Sequence, residues 1–335
     1  MTDAFGREAP WSLGVEEEFF LVDAGSLAAV PAFSRVVGEA SAELKPELFE
    51  CLVELATPVV PDAGAALEEL LRLRRELADG AEQHGVALYA AGTHALARGA
   101  DQPLVPLERY RQLAELLGEG ISRQLVCGLH VHVSFPDWGK CLRAFEGILP
   151  WLPTLLALSA NSPLAEGGAT GRRSERAVRL LDLPTGGTPP VLRSPADWED
   201  ATEGDQGRRH WDAWPRPEYG TLEVRVMDMQ TDVRRSAGFA ELVRALLVAV
   251  AEGRPEPYDR ALYARRRADA ADRPPSAGEL DALSALVGPQ LDSSAGRLAE
   301  AILEEPAEAD RQLAVAAAEG VAAVPADVVR RTLGF

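Results

Sequence analysis

The sequence predicts an α+β fold in a single domain: one antiparallel sheet covered on one face by helices, then a helical C-terminal portion. Three observations carry this. The strand-like segments alternate apolar and polar residues instead of running uniformly apolar, as sheets buried on one side do. Strands with interspersed helices come first and helices follow. From Gly238 the pattern is helical to the end, broken around 253–259 and 272–275.

The elements follow in order. Ser12 to Val22 alternates, with Leu13, Val15, Phe19 and Leu21 on one face and Gly14, Glu16, Glu18 and Phe20 on the other. Glu17 breaks the apolar face. The run "KPELFECLVELATPVVP" is a second β segment; as a regular strand it places Leu48, Glu50, Leu52 and Glu54 on one side. Asp62 to His84 reads as a helix, with Asp62 as N-cap and Leu67, Leu70, Leu71 and Leu77 as its apolar stripe. "VALYAAGTH" is a strand and Leu107–Leu117 a helix. "QLVCGLHVHVSF" alternates, with His130 and His132 opposite Leu129, Val131 and Val133. Lys140 to Ala160 is helical and apolar, disturbed by Pro150 and Pro153. Residues 161–218 show little periodicity and carry Trp198, Trp211 and Trp214, which suggests functional loop. "GTLEVRVMDMQ" is a strand with Glu223 and Arg225 on its polar face.

Bulk properties exclude several classes. The 335 residues carry a formal net charge of −18, which argues against coating nucleic acid. Cys51, Cys127 and Cys141 form no CxxC pair, so neither a zinc knuckle nor a disulfide framework is expected. The polar start "MTDAFGREAPW" lacks a signal h-region. No apolar run is expected to reach the roughly 18–20 residues that span a bilayer. A cytoplasmic protein without membrane or nucleic-acid partners is the expectation; homo-oligomer formation is left open.

Four strands offer acids or imidazoles on the face opposite their apolar residues: Glu16 and Glu18; Glu50 and Glu54; His130 and His132; Glu223 beside Arg225. Each alone has a plain alternative. An acidic triplet is commonly a solvated charge run, a His-x-His pair commonly structural, and an Arg beside a Glu a surface ion pair. On matching faces of one sheet they form a basin, and crowded carboxylates stay ionised only with cations among them. Oxygen ligands with one or two imidazoles suit Mg²⁺ or Mn²⁺, and Mg²⁺ usually keeps positions for water and substrate phosphate. The basin therefore reads as a site for metal-bound polyphosphate, with Arg225 facing phosphate oxygens. No P-loop, nucleophile elbow or dinucleotide fingerprint occurs, so ATP would have to bind through metals on a sheet. Two other readings stay open: a metal-dependent hydrolase built on His130 and His132, for which only His84, His94 and His210 remain as further histidines and none lies obviously at a strand end, and a non-catalytic Mg-ATP-binding protein.

The blocks "GVEEEFFLVD", "ELFECLVELATPVV", "GLHVHVSF", "LSANSP" and "YGTLEVRVMDMQTDV" resemble the ATP-dependent carboxylate–amine ligases of the glutamate–cysteine ligase 2 type, in the family's order, over about residues 10 to 250. The resemblance implies a glutamine synthetase-like fold, a curved antiparallel sheet forming a funnel. The expected organisation is a single catalytic domain, 1–335, with a sheet-based core at 10–250 and a helical C-terminal portion at 251–335. The resemblance also implies ATP and two or three Mg²⁺ ions, with Mn²⁺ as a substitute. Substrates would be a carboxylate such as glutamate and an amine such as cysteine, joined through an acyl phosphate. Carried over by motif, the metal residues are Glu16, Glu18, Glu54, His130 and Glu223, with Glu47 as the further acid and Glu50 as second choice. His132 neighbours His130, Arg225 meets nucleotide phosphate, and Arg176 of "SER" is the candidate clamp for a substrate carboxylate. The chain departs from the family where Trp-Asp-x-Arg-Pro is common: "WDAWPRP" has Trp214 at the arginine position, with Arg216 nearby. "ADRQLA", with Arg311 and Gln312, echoes the family's tail.

Overall fold

The computed structural model describes residues 3–38, 43–204, 209–253, 258–291, 294–332 and 334. Among these the strands are β1 (Leu13–Asp23), β2 (Leu44–Pro46), β3 (Leu52–Ala56), β4 (Val86–Tyr89), β5 (Gly128–Ser134), the short pair β6 (Leu164–Ala165) and β7 (Gly168–Ala169), β8 (Ala213–Arg216) and β9 (Thr221–Asp228). The helices of the first half are α1 (Phe33–Val36), α2 (Ala63–Glu82), α3 (Glu108–Leu117), α4 (Trp138–Ile148), α5 (Leu152–Ser159) and α6 (Glu175–Arg179). The later ones are α7 (Pro195–Thr202), α8 (Val233–Ala251), α9 (Arg260–Asp272), α10 (Ala277–Val287), α11 (Gly296–Glu304), α12 (Glu308–Glu319) and α13 (Val324–Thr332).

The main sheet is seven-stranded, in the order β2-β3-β1-β5-β9-β8, with β4 pairing the far half of β1. Its described pairings are antiparallel and it does not close. The fold is α+β, as expected. One face is apolar and lies under α2, α8, α4 and α5. The C-terminal helices join the same core: α11 packs on α8, and α13 packs on β4. Asp62 caps α2, its Oδ1 accepting from the Ala65 N–H at 2.9 Å.

Glu17 finds its reason here. It points with Phe19 into the helix-covered face and is 0% exposed, as is Arg74 of α2. Arg74 Nε donates to Glu17 Oε2 at 2.7 Å, and its Nη1 and Nη2 donate to the carbonyls of Thr231 and Gln230 at 2.9 and 3.1 Å. The guanidinium also lies 5.1 Å from the Phe19 ring centroid. The pair ties β1, α2 and the start of α8 together.

Four expectations need correction. The "KPELFECLVELATP" run is a hairpin of β2 and β3, with Lys45 opposite Glu54, and not one strand. Glu50 lies in its turn, where Ser34 Oγ donates to it at 3.3 Å. It therefore does not share a face with Glu54. Residues 161–218 are more ordered than their composition suggests, since they contain α6, α7 and the edge strand β8. Pro195 follows the Ser194 cap and starts α7. The C-terminal helices begin earlier than expected, at Val233, and the break expected at 253–259 falls partly on residues outside the described ones. Finally, Trp138–Ser159 is long and apolar enough to cross a membrane by length and composition, but most of it is buried within the protein. It is the core helix pair α4 and α5, joined through a 3₁₀ turn at Leu149–Trp151 that carries Pro150.

Candidate active site

Strand register assembles the other face. β1 against β3 sets Glu18 opposite Glu54, and β2 extends that row with Lys45. β1 against β5 sets Glu16 opposite His130 and Gly14 opposite His132. β5 against β9 sets His132 opposite Glu223, and β8 adds Trp214 opposite Glu223. A register shift between Leu129 and Val131 marks an irregularity at His130.

Two ligand groups result. Atoms of Glu16, His130 and Glu223 lie within 4.8 Å of one another, as do atoms of Glu18, Glu47 and Glu54. The structure thus brings together every metal candidate except the second choice, Glu50. His130 Nδ1 is 3.2 Å from Glu16 Oε2, and His130 Nε2 is 3.7 Å from Glu18 Oε1. The Gly128 N–H donates to Glu18 Oε2 at 2.5 Å. His132 Nδ1 is 3.1 Å from Thr221 Oγ1.

The electrostatics fit a divalent cation. Burial, followed by repulsion from Glu18 and Glu54, pushes the Glu47 carboxyl well above its ordinary range. Burial and Glu16 likewise raise Glu54. Burial would raise Glu16 too, but hydrogen bonds with His130 and His132 hold it well below the usual range. Crowded acids driven toward protonation, beside others kept ionised, form a donor set that hard cations complete. The Glu18, Glu47 and Glu54 group supplies only oxygens; the Glu16, Glu223 and His130 group adds one imidazole. Both fit Mg²⁺ or Mn²⁺ better than zinc.

A pH dependence follows. For Glu47 and Glu54 the folded pKa lies above the unfolded one, so between the two the folded protein holds protons the unfolded chain has lost. The metal-free protein is then expected to lose stability as pH rises above about 4.3, the ordinary glutamate value, until the raised pKa values are passed. A divalent cation held by these acids would displace those protons and restore stability, more so at higher pH. Melting curves with and without Mg²⁺ across pH check this; a Mg²⁺ increment independent of pH would refute it.

Glu223 is bracketed by two guanidiniums. Arg225 Nε donates to Oε1 at 2.6 Å and Arg216 Nη1 donates to Oε2 at 2.5 Å. Burial would raise this acid, but Arg225 and Arg216 hold it far below its usual range. Arg216 also lies 4.6 Å from the Trp214 ring centroid and 5.0 Å from that of Tyr219. Arg216 therefore sits beside Glu223 while Trp214 occupies the neighbouring strand position.

Arg176 reaches the basin from α6. It is 2% exposed, and its Nη2 donates to the Arg225 carbonyl at 3.1 Å. Ser174 caps α6, and its hydroxyl also donates to Asp228 Oδ1 at 2.8 Å. Asp228 further accepts from the Ser162 hydroxyl at 2.6 Å and the Asn161 N–H at 2.8 Å. This buried acid joins the "NSP", "SER" and last strand blocks at one point. Sequence reading did not pick out Asp228, although its place at the end of β9 was visible. It also missed Asp212, which accepts from Arg267 Nε and the Tyr263 hydroxyl, both at 2.6 Å, and so pins β8 to α9.

Gly128 is required by close approach. A Cβ there would stand 2.2 Å from Arg176 Nη2 and 2.9 Å from His130 Nε2. Gly128→Ala is expected to displace both side chains and cut turnover at least about 100-fold, the scale of misplacing reacting groups by an ångström. Wild-type rates in a folded variant would contradict this.

Glu16, Glu18, Glu47, Glu54, His130, Arg176, Arg216 and Arg225 line a cavity of about 500 Å³ together with Arg109, Tyr110, Leu113 and Tyr219, whereas Glu223 and His132 are not part of its lining. Such a volume suits small-molecule substrates. The pattern of Glutamate-cysteine ligase family 2 (GCS2) matches residues 12–324. The chain belongs to that family. As a member it is an ATP-dependent ligase. It is 37% identical over 252 residues to "Putative glutamate--cysteine ligase 2-2" of Mycolicibacterium vanbaalenii, covering 72% of this chain and 69% of the relative. A Rubrobacter xylanophilus relative, "Putative glutamate--cysteine ligase 2-3", is 34% identical over 272 residues, covering 76% and 74%. Among solved structures, the glutamate–cysteine ligase of Francisella tularensis in complex with AMP superposes with TM-score 0.70 at 14% identity, covering 98% of this chain and 89% of that one. The bifunctional glutathione synthetase of Pasteurella multocida gives TM-score 0.68 at 14% identity; 97% of this chain matches about half, 51%, of that one. At such identity these two establish the fold alone.

In this ligase the tail echo is structural. Gln312 Nε2 donates to Asn161 Oδ1 at 2.6 Å, and Arg311 Nη2 donates to Asp327 Oδ1 at 2.7 Å. Two of the three further histidines, His94 and His84, do not favour a hydrolase; the third, His210, lines the cavity. His94 Nδ1 accepts from the Leu96 and Ala97 N–H groups at 3.1 and 3.0 Å, its Nε2 is 3.0 Å from the Leu27 carbonyl, and burial lowers it to about 4. His84 lies on the exposed surface.

Proposed function

We propose that this ligase joins a carboxylate to an amine through an acyl phosphate, with glutamate as the acid and cysteine as the amine, and that residues 1–335 act as one catalytic unit. The observation that carries the reading is the convergence of two acidic ligand groups with Arg225 and Arg176 on one cavity. A substrate carboxylate oxygen attacks the γ-phosphorus of ATP. The new P–O bond forms as the bond to the β,γ-bridging oxygen breaks, and ADP leaves. The amine nitrogen then attacks the acyl carbon, the C–O bond to phosphate breaks, and the amine loses a proton. Arg225 neutralises phosphoryl oxygens and Arg176 holds a substrate carboxylate. His132 flanks the nucleotide. Glu16, His130 and Glu223 would hold one Mg²⁺ and Glu18, Glu47 and Glu54 another; bound, these ions would supply charge neutralisation at the phosphates.

The test is a screen of acid and amine pairs with Mg-ATP, reading ADP and the product mass. ADP and an amide that both require acid and amine support the reading. Mg-ATP stabilisation without turnover on any pair would favour a binding protein instead.

A further inference from the structure

Lys45 stands between the two carboxylate groups. Register places it on β2 directly opposite Glu54, which in turn faces Glu18. Its ammonium donates to Glu54 Oε1 at 2.9 Å and lies 3.8 Å from Glu16 Oε1. One positive charge thus touches an acid from each group. Its side chain is 41% exposed, and it lines the cavity.

We propose that Lys45 is a built-in competitor of divalent ions, neutralising both carboxylate groups while they lack metal and yielding when the ions bind. The inference rests on the metal reading above. Its physical basis is simple. The carboxylates need positive charge, and within reach of both groups the tethered ammonium supplies part of it. A divalent ion brings twice the charge and repels the ammonium at this distance. Lysine is suited to yielding: its charge sits on a flexible four-carbon stem and keeps most of its hydration when half exposed. Arg216 and Arg225 differ, since each is held against the buried Glu223. The displaced ammonium stays inside the cavity wall, where anionic substrate oxygens would meet it.

The experiment measures Mn²⁺ binding to the full chain, without nucleotide, from the electron paramagnetic resonance signal of free Mn²⁺. Lys45→Met is expected to bind Mn²⁺ about tenfold more tightly, the scale of removing one nearby like charge at a partly exposed site. Lys45→Arg, which keeps the charge, should stay near wild type. The metal-free Lys45→Met protein should melt lower and gain more from Mn²⁺ than wild type. Equal or weaker Mn²⁺ binding by folded Lys45→Met would overturn the proposal and make Lys45 an organiser of the carboxylates. Wild-type protein that binds no Mn²⁺ would overturn the metal reading and this inference together.

Discussion

Glu16→Gln is expected, on the metal reading proposed above, to lower amide formation at least about 10³-fold while the protein stays folded, because losing a carboxylate that would hold a catalytic cation costs several kcal/mol in the transition state. The substitution keeps size and hydrogen-bonding capacity but removes the charge facing His130, His132 and Lys45. Glu16 lies outside the apolar core, but its carboxyl, despite burial, is held well below the usual range by His130 and His132, so its charge stabilises the fold and a modest drop in melting point is expected. The clean readout is ADP formation at saturating Mg-ATP, acid and amine. Glu223→Gln should lose as much activity but behave differently in stability. Glu223 also neutralises Arg216 and Arg225, so its loss leaves two guanidiniums without their shared partner. A lower melting point for Glu223→Gln than for Glu16→Gln is the expected contrast. Rates near wild type for Glu16→Gln would remove that residue from the site.

The second large effect is on stability. Arg74→Ala is expected to cost about 3–5 kcal/mol, the usual result of removing one partner of a fully buried ion pair. Both members are 0% exposed, so Glu17 would remain as an uncompensated charge under α2. The carbonyls of Gln230 and Thr231 would lose their donors as well. Replacing both partners by apolar residues of similar volume, as in Glu17→Leu with Arg74→Met, should recover most of the loss. Urea unfolding midpoints of the three variants decide it. A mild loss for Arg74→Ala, or no recovery in the double variant, would show that the pair is not what holds β1, α2 and α8 together.

Much of this was legible in the sequence because β1, β5 and β9 alternate cleanly. Period-2 patterning separates the faces of a strand without any knowledge of its partners. Glu16, Glu18, His130 and Glu223 could therefore be placed on one face, and the five motif blocks named the family. What the sequence hid was long-range or conformational. Glu17 meets Arg74 across 57 positions, and nothing local marks that pairing. Glu50 looked aligned with Glu54 only while "KPELFECLVELATP" was read as straight. The turn that moves it aside is set by pairing between β2 and β3. β8 was invisible because Trp and Pro in a short edge strand carry no alternation, and only its bonds to β9 define it. Asp228 was passed over because a single acid at a strand end has no pattern; its partners Ser162 and Ser174 lie 66 and 54 positions away.

The open sheet has one further consequence. Its two outermost strands each contain a proline, Pro46 in β2 and Pro215 in β8. Proline offers no N–H, so neither margin can present an unbroken row of donors to a strand from another molecule. An open sheet thereby discourages sheet-to-sheet aggregation without closing into a barrel.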